Sequence, residues 1–212
     1  ERMDLIYLQC DCRFNRWMME EINGRNVIDY TIERCKKIGG GKCEIISGIY
    51  DCIENQELIE VLLKNGVNVI KADEENVNKR FLDIVCQKNI GEYVVRVSGD
   101  QCLLDFNKVT DVIENMRKNL KDWYYEDYSS SVLPDVVSVD CLKKYEMILR
   151  KGNRYFDILK NQKDVKSYIL SYTILILSNF RANSNENFRV CKNVIENNLN
   201  IYDISKQLLI QL

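Results

Sequence analysis

Short apolar blocks alternate with longer stretches of helical period along the first 120 residues. Leu5-Ile6-Tyr7-Leu8 is a block of the kind that fills a strand buried on both faces. Asn26 can cap a helix whose apolar residues Val27, Ile28, Tyr30, Ile32 and Cys35 recur at near-helical spacing. Gly39-Gly40-Gly41 ends that unit, and Cys43-Glu44-Ile45-Ile46 reads as the second strand. A second amphipathic helix starts at Asn55, runs through Leu58, Ile59, Val61, Leu62 and Leu63, and closes at Asn65-Gly66. Val67-Asn68-Val69-Ile70 is the third strand, Val77 to Lys88 the third helix, Tyr93 to Val97 the fourth strand, and Phe106 to Asn119 the fourth helix.

This alternation predicts an α/β fold with a mostly parallel sheet and helices on both faces. Ligands then bind beyond the carboxyl ends of the strands. Those ends are Gln9 to Arg16, Ser47 to Cys52, Lys71 to Glu75 and Ser98 to Cys102. After residue 120 the pattern loosens. Trp123 to Tyr128 and Val136 to Val139 can be strands, and Cys141 to Arg150 a helix. The tail from Asp164 looks helical apart from an Asn-rich loop over Ala182 to Asn187. With no repeat and no low-complexity linker, the expectation is one domain over 1–212, with an α/β core over about 1–150 and a helical extension over about 151–212.

Composition narrows the chemistry. The 212 residues hold no histidine, which removes Ser-His-Asp and Cys-His catalysis and His-ligated zinc. Carboxylates, Lys, Arg, Tyr, Cys, backbone amides or a hard metal ion remain, and they suit reactions that need positioning and charge neutralisation. A net charge of -2 gives no footprint for nucleic acid or anionic lipid. The nine cysteines contain no CxxC pair, and their odd count points to free thiols in a reducing cytosol, hence a cytoplasmic protein. Cys10-x-Cys12 stands apart because it falls in a predicted site loop. The apolar run Tyr168 to Leu177 is about half of a membrane span. Gly39-Gly40-Gly41-Lys42 follows a helix and precedes a strand, the reverse of a phosphate loop, and reads as a connecting turn.

Val95-Arg96-Val97-Ser98-Gly99-Asp100-Gln101-Cys102-Leu103-Leu104-Asp105 is the most informative stretch. An apolar strand delivers Gly99-Asp100 to its carboxyl end, where glycine permits close approach and the Asp can hold a hard cation against a polyphosphate. Taken alone, a plain strand-to-turn Asp is the better explanation. The stretch resembles the V-R-[IV]-[TS]-G-D-x-P-L-[IL]-D signature of the spore-coat-polysaccharide-type cytidylyltransferases, relatives of the enzymes that make CMP-activated sugar acids. Val27-Ile28-Asp29-Tyr30-Thr31-Ile32-Glu33-Arg34 is similar to that family's helix after its phosphate loop. Ala72-Asp73-Glu74-Glu75-Asn76-Val77-Asn78-Lys79-Arg80-Phe81 is similar to its G-S-E-E-D-V-L-D-R-Y, and the likeness covers about residues 5 to 146.

The resemblance implies a Rossmann-like three-layer α/β/α fold with a mixed, mostly parallel central sheet. It implies an enzyme that transfers CMP from CTP to a sugar or sugar-like acid for surface polysaccharide or glycoconjugate synthesis, releasing pyrophosphate. It implies Mg²⁺ or Mn²⁺ on the triphosphate, with Asp100 and Asp135 as metal-binding residues and Asp100 and Arg16 as catalytic ones. Gln9, Arg13, Arg16, Ser47, Arg96 and Gly99 are the nucleotide-binding candidates, Ser47 lying beside the base. The partners implied are a nucleoside triphosphate and a small-molecule acceptor. For the aromatic stretch Trp123 to Tyr128 an acceptor platform and an edge strand or subunit contact are both open, the latter compatible with a homodimer.

The first loop departs from the family. Relatives carry Q-A-R-M-G-S-[ST]-R-L-P-G-K, which supplies amides, Arg and Lys to a triphosphate. Here Gln9-Cys10-Asp11-Cys12-Arg13-Phe14-Asn15-Arg16-Trp17-Met18-Met19-Glu20 keeps Gln9 and Arg16 but replaces both glycines, the first arginine and the lysine. About three residues are deleted before Ile22, and Arg13 can substitute for a lost cation from a shifted position. Two other readings therefore stay open: an inactive relative kept as a binding or assembly module, even one domain of a longer protein, and a transferase that takes a different nucleotide or donor.

Overall fold

The apolar blocks assemble into one sheet in a computed structural model that describes residues 4–87, 92–125, 132–151, 155–168 and 180–204. In chain order the elements are β1 (Leu5–Gln9), β2 (Glu21–Ile22), β3 (Arg25–Asn26), α1 (Val27–Cys35), β4 (Glu44–Tyr50), α2 (Gln56–Lys64), β5 (Asn68–Ala72), α3 (Val77–Gln87), β6 (Tyr93–Ser98) and α4 (Phe106–Lys118). They continue as β7 (Trp123–Tyr124), β8 (Asp135–Ser138), α5 (Val139–Leu149), α6 (Tyr155–Lys160), β9 (Ser167–Tyr168) and α7 (Asn185–Glu196). The main sheet has seven strands in the order β5-β4-β1-β6-β8-β7-β9. Only β8 runs against the rest, antiparallel to both β6 and β7.

Alternate residues of each central strand enter different helix layers, as a strand's period of two requires. Ile6, Leu8, Val95, Val97 and Val136 pack with the apolar faces of α1, α2 and α4, through residues such as Ile28, Ile32, Leu58, Leu62, Val112 and Met116. Leu5, Tyr7, Ile46, Val94 and Val137 pack with α3 and α5 through Phe81, Leu82, Val85, Leu142 and Leu149. These two apolar layers make the protein a three-layer α/β/α fold with a mixed, mostly parallel sheet. The glycine segment 39–41 joins α1 to β4 at the amino ends of the strands, the far side of the sheet from the Gly99-Asp100 turn.

Three local readings change. β4 extends to Tyr50, because its parallel ladder with β5 continues from Ile46↔Asn68 to Tyr50↔Ala72. Ser47 therefore sits inside the strand rather than beyond its end. The residues before α1 form a two-stranded hairpin, β2 with β3, turned by Asn23 (φ 53°) and Gly24 (φ 71°). Positive φ at both central residues is what a tight hairpin demands, and Asn-Gly supplies it. The C-terminal extension is not purely helical. β9 adds to the sheet beside β7. Part of the segment expected to be a loop is the start of α7, with Ser184 Oγ accepting from the Asn187 amide at 3.2 Å. The apolar run from 168 lies, after Tyr168, outside the described residues until residue 180, as do Glu126 to Tyr128.

Two constraints seat the loop after β1. The first is space at Gly99, whose amide donates to the Gln9 carbonyl (3.0 Å) and whose carbonyl accepts from Thr31 Oγ1 (2.8 Å). A Cβ there would lie 2.9 Å from Cys10 Sγ and 3.1 Å from Met18 Sδ. The second is the buried carboxylate of Asp11. It accepts from Arg13 Nη2 at 2.7 Å, Arg80 Nη2 at 3.0 Å and Asn55 Nδ2 at 3.3 Å. Asn55 Oδ1 in turn accepts the Cys12 amide at 2.8 Å, which ties the loop to the end of β4. Burial alone would raise the Asp11 carboxyl. Hydrogen bonds from the Arg13 side chain and amide and from Asn55 outweigh it, with the Arg13 charge, and hold the group below the usual carboxylate range.

Gly99→Ala is expected to cost about 1–3 kcal/mol through overpacking, visible as a melting point lowered by several degrees. A melt superimposable on that of the unsubstituted protein would show that the turn has room to spare. Asp11→Asn strands the guanidinium of Arg80, whose side chain is 1% exposed, and is expected to cost about 3–5 kcal/mol near neutral pH. Because the folded carboxyl is depressed, its stabilisation is complete above the ordinary carboxylate pKa of about 4 and drains as pH falls below it. The stability gap between the two proteins should therefore close on acidification, and a gap unchanged from neutral pH down to pH 3 would show that no Asp11 charge is at work.

Candidate functional site

The turn after β6 places Asp100 beneath two separate parts of the chain. Its side chain is 0% exposed. Oδ2 accepts from Asn15 Nδ2 at 2.6 Å, and Oδ1 accepts from Arg181 Nε at 2.6 Å. The Asn15 amide is oriented for this, since its Oδ1 accepts the Trp17 backbone N–H at 2.9 Å. Arg181 also donates from Nη2 to Ser98 Oγ at 2.9 Å, and the Ala182 amide donates to the Asp100 carbonyl at 3.0 Å. Phe180 and Ala182 are buried on either side of Arg181, so the segment is held by its neighbours and its backbone as well as by its charge.

Beside this turn Gln9 and Arg96 meet, Arg96 Nε donating to Gln9 Oε1 at 2.7 Å. A polar cavity of about 90 Å³ opens there, lined by Gln9, Arg96, Ser98, Gln101, Asp135 and Arg181 together with Pro134. It brings four of the residues singled out in the sequence to one place: Gln9, Arg96, Asp135 and, through its guanidinium partner, Asp100. Arg16 is exposed on the loop after β1, and its side chain makes no hydrogen bond or ion pair to a described residue. Arg13 is less available. Asp11 and Glu75 both pair with it, and its guanidinium lies 4.3 Å from the Tyr50 ring centroid.

Two further candidates occupy different surroundings from those expected. Ser47 is fully buried and its hydroxyl donates to the Leu8 carbonyl at 2.6 Å, a tie between neighbouring strands. The space over Gly99 is taken by Cys10, Met18 and Ile28 rather than left open. The thiols of the Cys10-x-Cys12 pair are buried, and burial pushes Cys12 up to about 11 and Cys10 well above its ordinary value. Neither is a thiolate nucleophile at neutral pH.

Sequence reasoning missed Asn15, Asn55, Arg80 and Arg181. Arg80 lies in a motif that the family likeness had already picked out, between Glu74-Glu75 and Phe81, and its side chain, only 1% exposed, marks it as an organiser of the loop. The other three carry no local signal, because each acts on a partner more than 40 residues away.

The donor chemistry suits a hard divalent ion. Asp100 offers carboxylate oxygens, one of which a guanidinium already occupies, so an ion there would share the carboxylate with Arg181 or displace it. Magnesium is commonly held by one or two carboxylates together with substrate phosphates. Among the described residues no three His, Cys, Asp or Glu side chains converge, so an ion here takes the rest of its shell from water or from a bound phosphate.

Comparisons with known proteins agree with this frame. The solved structure of a cytidylyltransferase from Leptospira borgpetersenii serovar Hardjo-bovis superposes with a TM-score of 0.80 at 14% identity, over 100% of this chain and 95% of that one. A CMP:2-keto-3-deoxy-manno-octonic acid synthetase complexed with CTP superposes with a TM-score of 0.67 at 11% identity, over 93% of this chain and 100% of the other. These identities speak to the fold alone. In sequence, the 3-deoxy-manno-octulosonate cytidylyltransferase of Wigglesworthia glossinidia brevipalpis is 23% identical over 165 residues, which cover 76% of this chain and 58% of that protein. The chain thus spans little more than half the length of the curated relative it matches. The profile of the family described as Cytidylyltransferase matches residues 13–169, most of the chain, and on that match the chain belongs to the cytidylyltransferase family of nucleotidyltransferases.

Proposed function

We propose that this chain is a CTP-dependent enzyme of the spore-coat-polysaccharide type that transfers CMP to a sugar or sugar-like acid and releases pyrophosphate. The observation that carries the reading is the carboxylate of Asp100, presented at the carboxyl end of β6 and bridged to the loop after β1 by Asn15. On a cytidylyltransferase frame this is where a nucleotide's phosphates would meet the protein. The Wigglesworthia relative is a 3-deoxy-manno-octulosonate cytidylyltransferase, which supports a sugar acid as the acceptor class.

In the proposed reaction an acceptor oxygen attacks the α-phosphorus of CTP, the bond to the bridging oxygen of pyrophosphate breaks, and the acceptor's proton leaves to solvent. Asp100, together with Asp135, would hold a magnesium or manganese ion. Such an ion offsets the charge that moves onto the leaving group. Arg16, exposed and unpaired among the described residues, approaches the phosphates as a point of positive charge. Gln9 and Arg96 hold each other, and so present a fixed amide and guanidinium to the bound nucleotide.

A second reading, a relative kept for binding rather than catalysis, is favoured by one specific observation. Asp11 draws Arg13 and Arg80 to itself, so cations that could face a triphosphate are held by a carboxylate instead. Charge-assisted hydrogen bonds contribute about 1.5–3 kcal/mol each, so the loss of two weakens nucleotide binding by more than a hundredfold.

Calorimetric titration with CTP and magnesium, paired with an assay for released pyrophosphate over a panel of sugar acids, separates the two readings. The transferase reading expects saturable CTP binding and turnover that Asp100→Asn lowers at least a hundredfold while cooperative melting persists. Arg16→Gln is expected to raise KM for CTP about tenfold or more, through loss of one charged contact. A cooperatively melting protein that shows no binding at millimolar CTP would overturn the enzyme and leave the binding module.

A further inference from the structure

The first loop lacks two of the cations in the family pattern, yet the mouth of the sheet receives an arginine from far along the chain. Arg181 reaches Asp100 across 81 positions of sequence. Resting on the transferase reading above, we infer that Arg181 is an anion-binding residue of this site that competes with a divalent ion for Asp100 and turns to the nucleotide's phosphates when the ion takes the carboxylate.

Three features support the exchange. Asp100 is wholly buried and both its oxygens have donors, so a metal approaching Oδ1 must compete with the Arg181 guanidinium. Arg181 itself is 34% exposed, and its Nη1 has no hydrogen bond to a described residue, so the side chain has somewhere to turn. It also lines the polar cavity shared with Gln9, Arg96 and Asp135, where a displaced guanidinium would meet an anion bound at the mouth. The main chain need not move, because Phe180 and Ala182 are buried and the Ala182 amide binds the Asp100 carbonyl.

Electrostatics sets the order of events. A guanidinium and a divalent cation repel each other when they share one carboxylate. Once the ion is seated beside phosphates, the same guanidinium finds several negative oxygens within reach. Planar, always charged and a bidentate donor, Arg suits either partner. A purely structural staple would look alike at rest, but it would not link metal and anion affinities in opposite directions.

The test measures binding without turnover. Manganese affinity of the protein alone is read by electron paramagnetic resonance of the free ion, and pyrophosphate affinity in the presence of magnesium by calorimetry, for the unsubstituted protein, Arg181→Gln, Arg181→Lys and Asp100→Asn. Arg181→Gln is expected to bind manganese about tenfold more tightly and magnesium pyrophosphate about tenfold more weakly, a factor of ten in each direction corresponding to about 1.4 kcal/mol. Arg181→Lys should fall between, because it keeps the charge and loses the fork, and Asp100→Asn should lose manganese. Unchanged affinities in Arg181→Gln, or both weakened together, would reduce Arg181 to a staple and overturn the proposal. Should Arg181→Gln fail to melt cooperatively, Arg181→Lys decides on the same signs. An unsubstituted protein that never transfers CMP would sink the transferase reading, whereas an active one whose Arg181→Gln variant transfers CMP at an undiminished rate would sink only the exchange.

Discussion

A carboxylate removed from water must be given a cation or hydrogen-bond donors, and this requirement organises the whole mouth of the sheet. Two carboxylates are buried there. Asp11 collects Arg13, Arg80 and Asn55, and through them joins the loop after β1 to β4 and α3. Asp100 collects Asn15 and Arg181, and through them joins the same loop and the approach to α7 to the end of β6. Either charge adds a long-range tie to segments that backbone hydrogen bonds and apolar packing also bring together.

The altered first loop takes on a different meaning in this light. The carboxylate at position 11 does not point at a ligand and repel it. It turns inward and becomes the keystone of a small ionic cluster, beside a turn where Cys10 and Met18 close over Gly99. Positive charge at the mouth now comes from Arg16, Arg96 and Arg181, drawn from three separate elements.

Much of the fold could be read from the chain because its signals are local. Four apolar blocks and four amphipathic stretches map onto β1, β4, β5, β6 and α1 to α4 with errors of a few residues, since burial on both faces of a sheet writes itself as a continuous apolar run. Asp100 was legible for the same reason: strand, glycine and carboxylate are consecutive. Its partners were not. Asn15 and Arg181 are ordinary polar residues in polar stretches, and what distinguishes them is a contact 85 and 81 residues away in sequence. The Asn23-Gly24 hairpin was a local signal that family comparison obscured, because it lies where a deletion made the relatives a poor guide.

The distance between Asp100 and Arg181 also matters before the protein is finished. At a synthesis rate of about 5–20 residues per second, the 81 residues that separate the pair take about 4–16 s to emerge. Throughout that interval β1, β4, β5 and β6 are available to pair, but the carboxylate at the centre of their mouth has only Asn15 to turn to. A nascent chain can settle its sheet early but leaves Asp100 without its guanidinium partner until Arg181 arrives. Completion of this site is therefore a late event on the ribosome, timed by chain length rather than by the folding speed of the sheet.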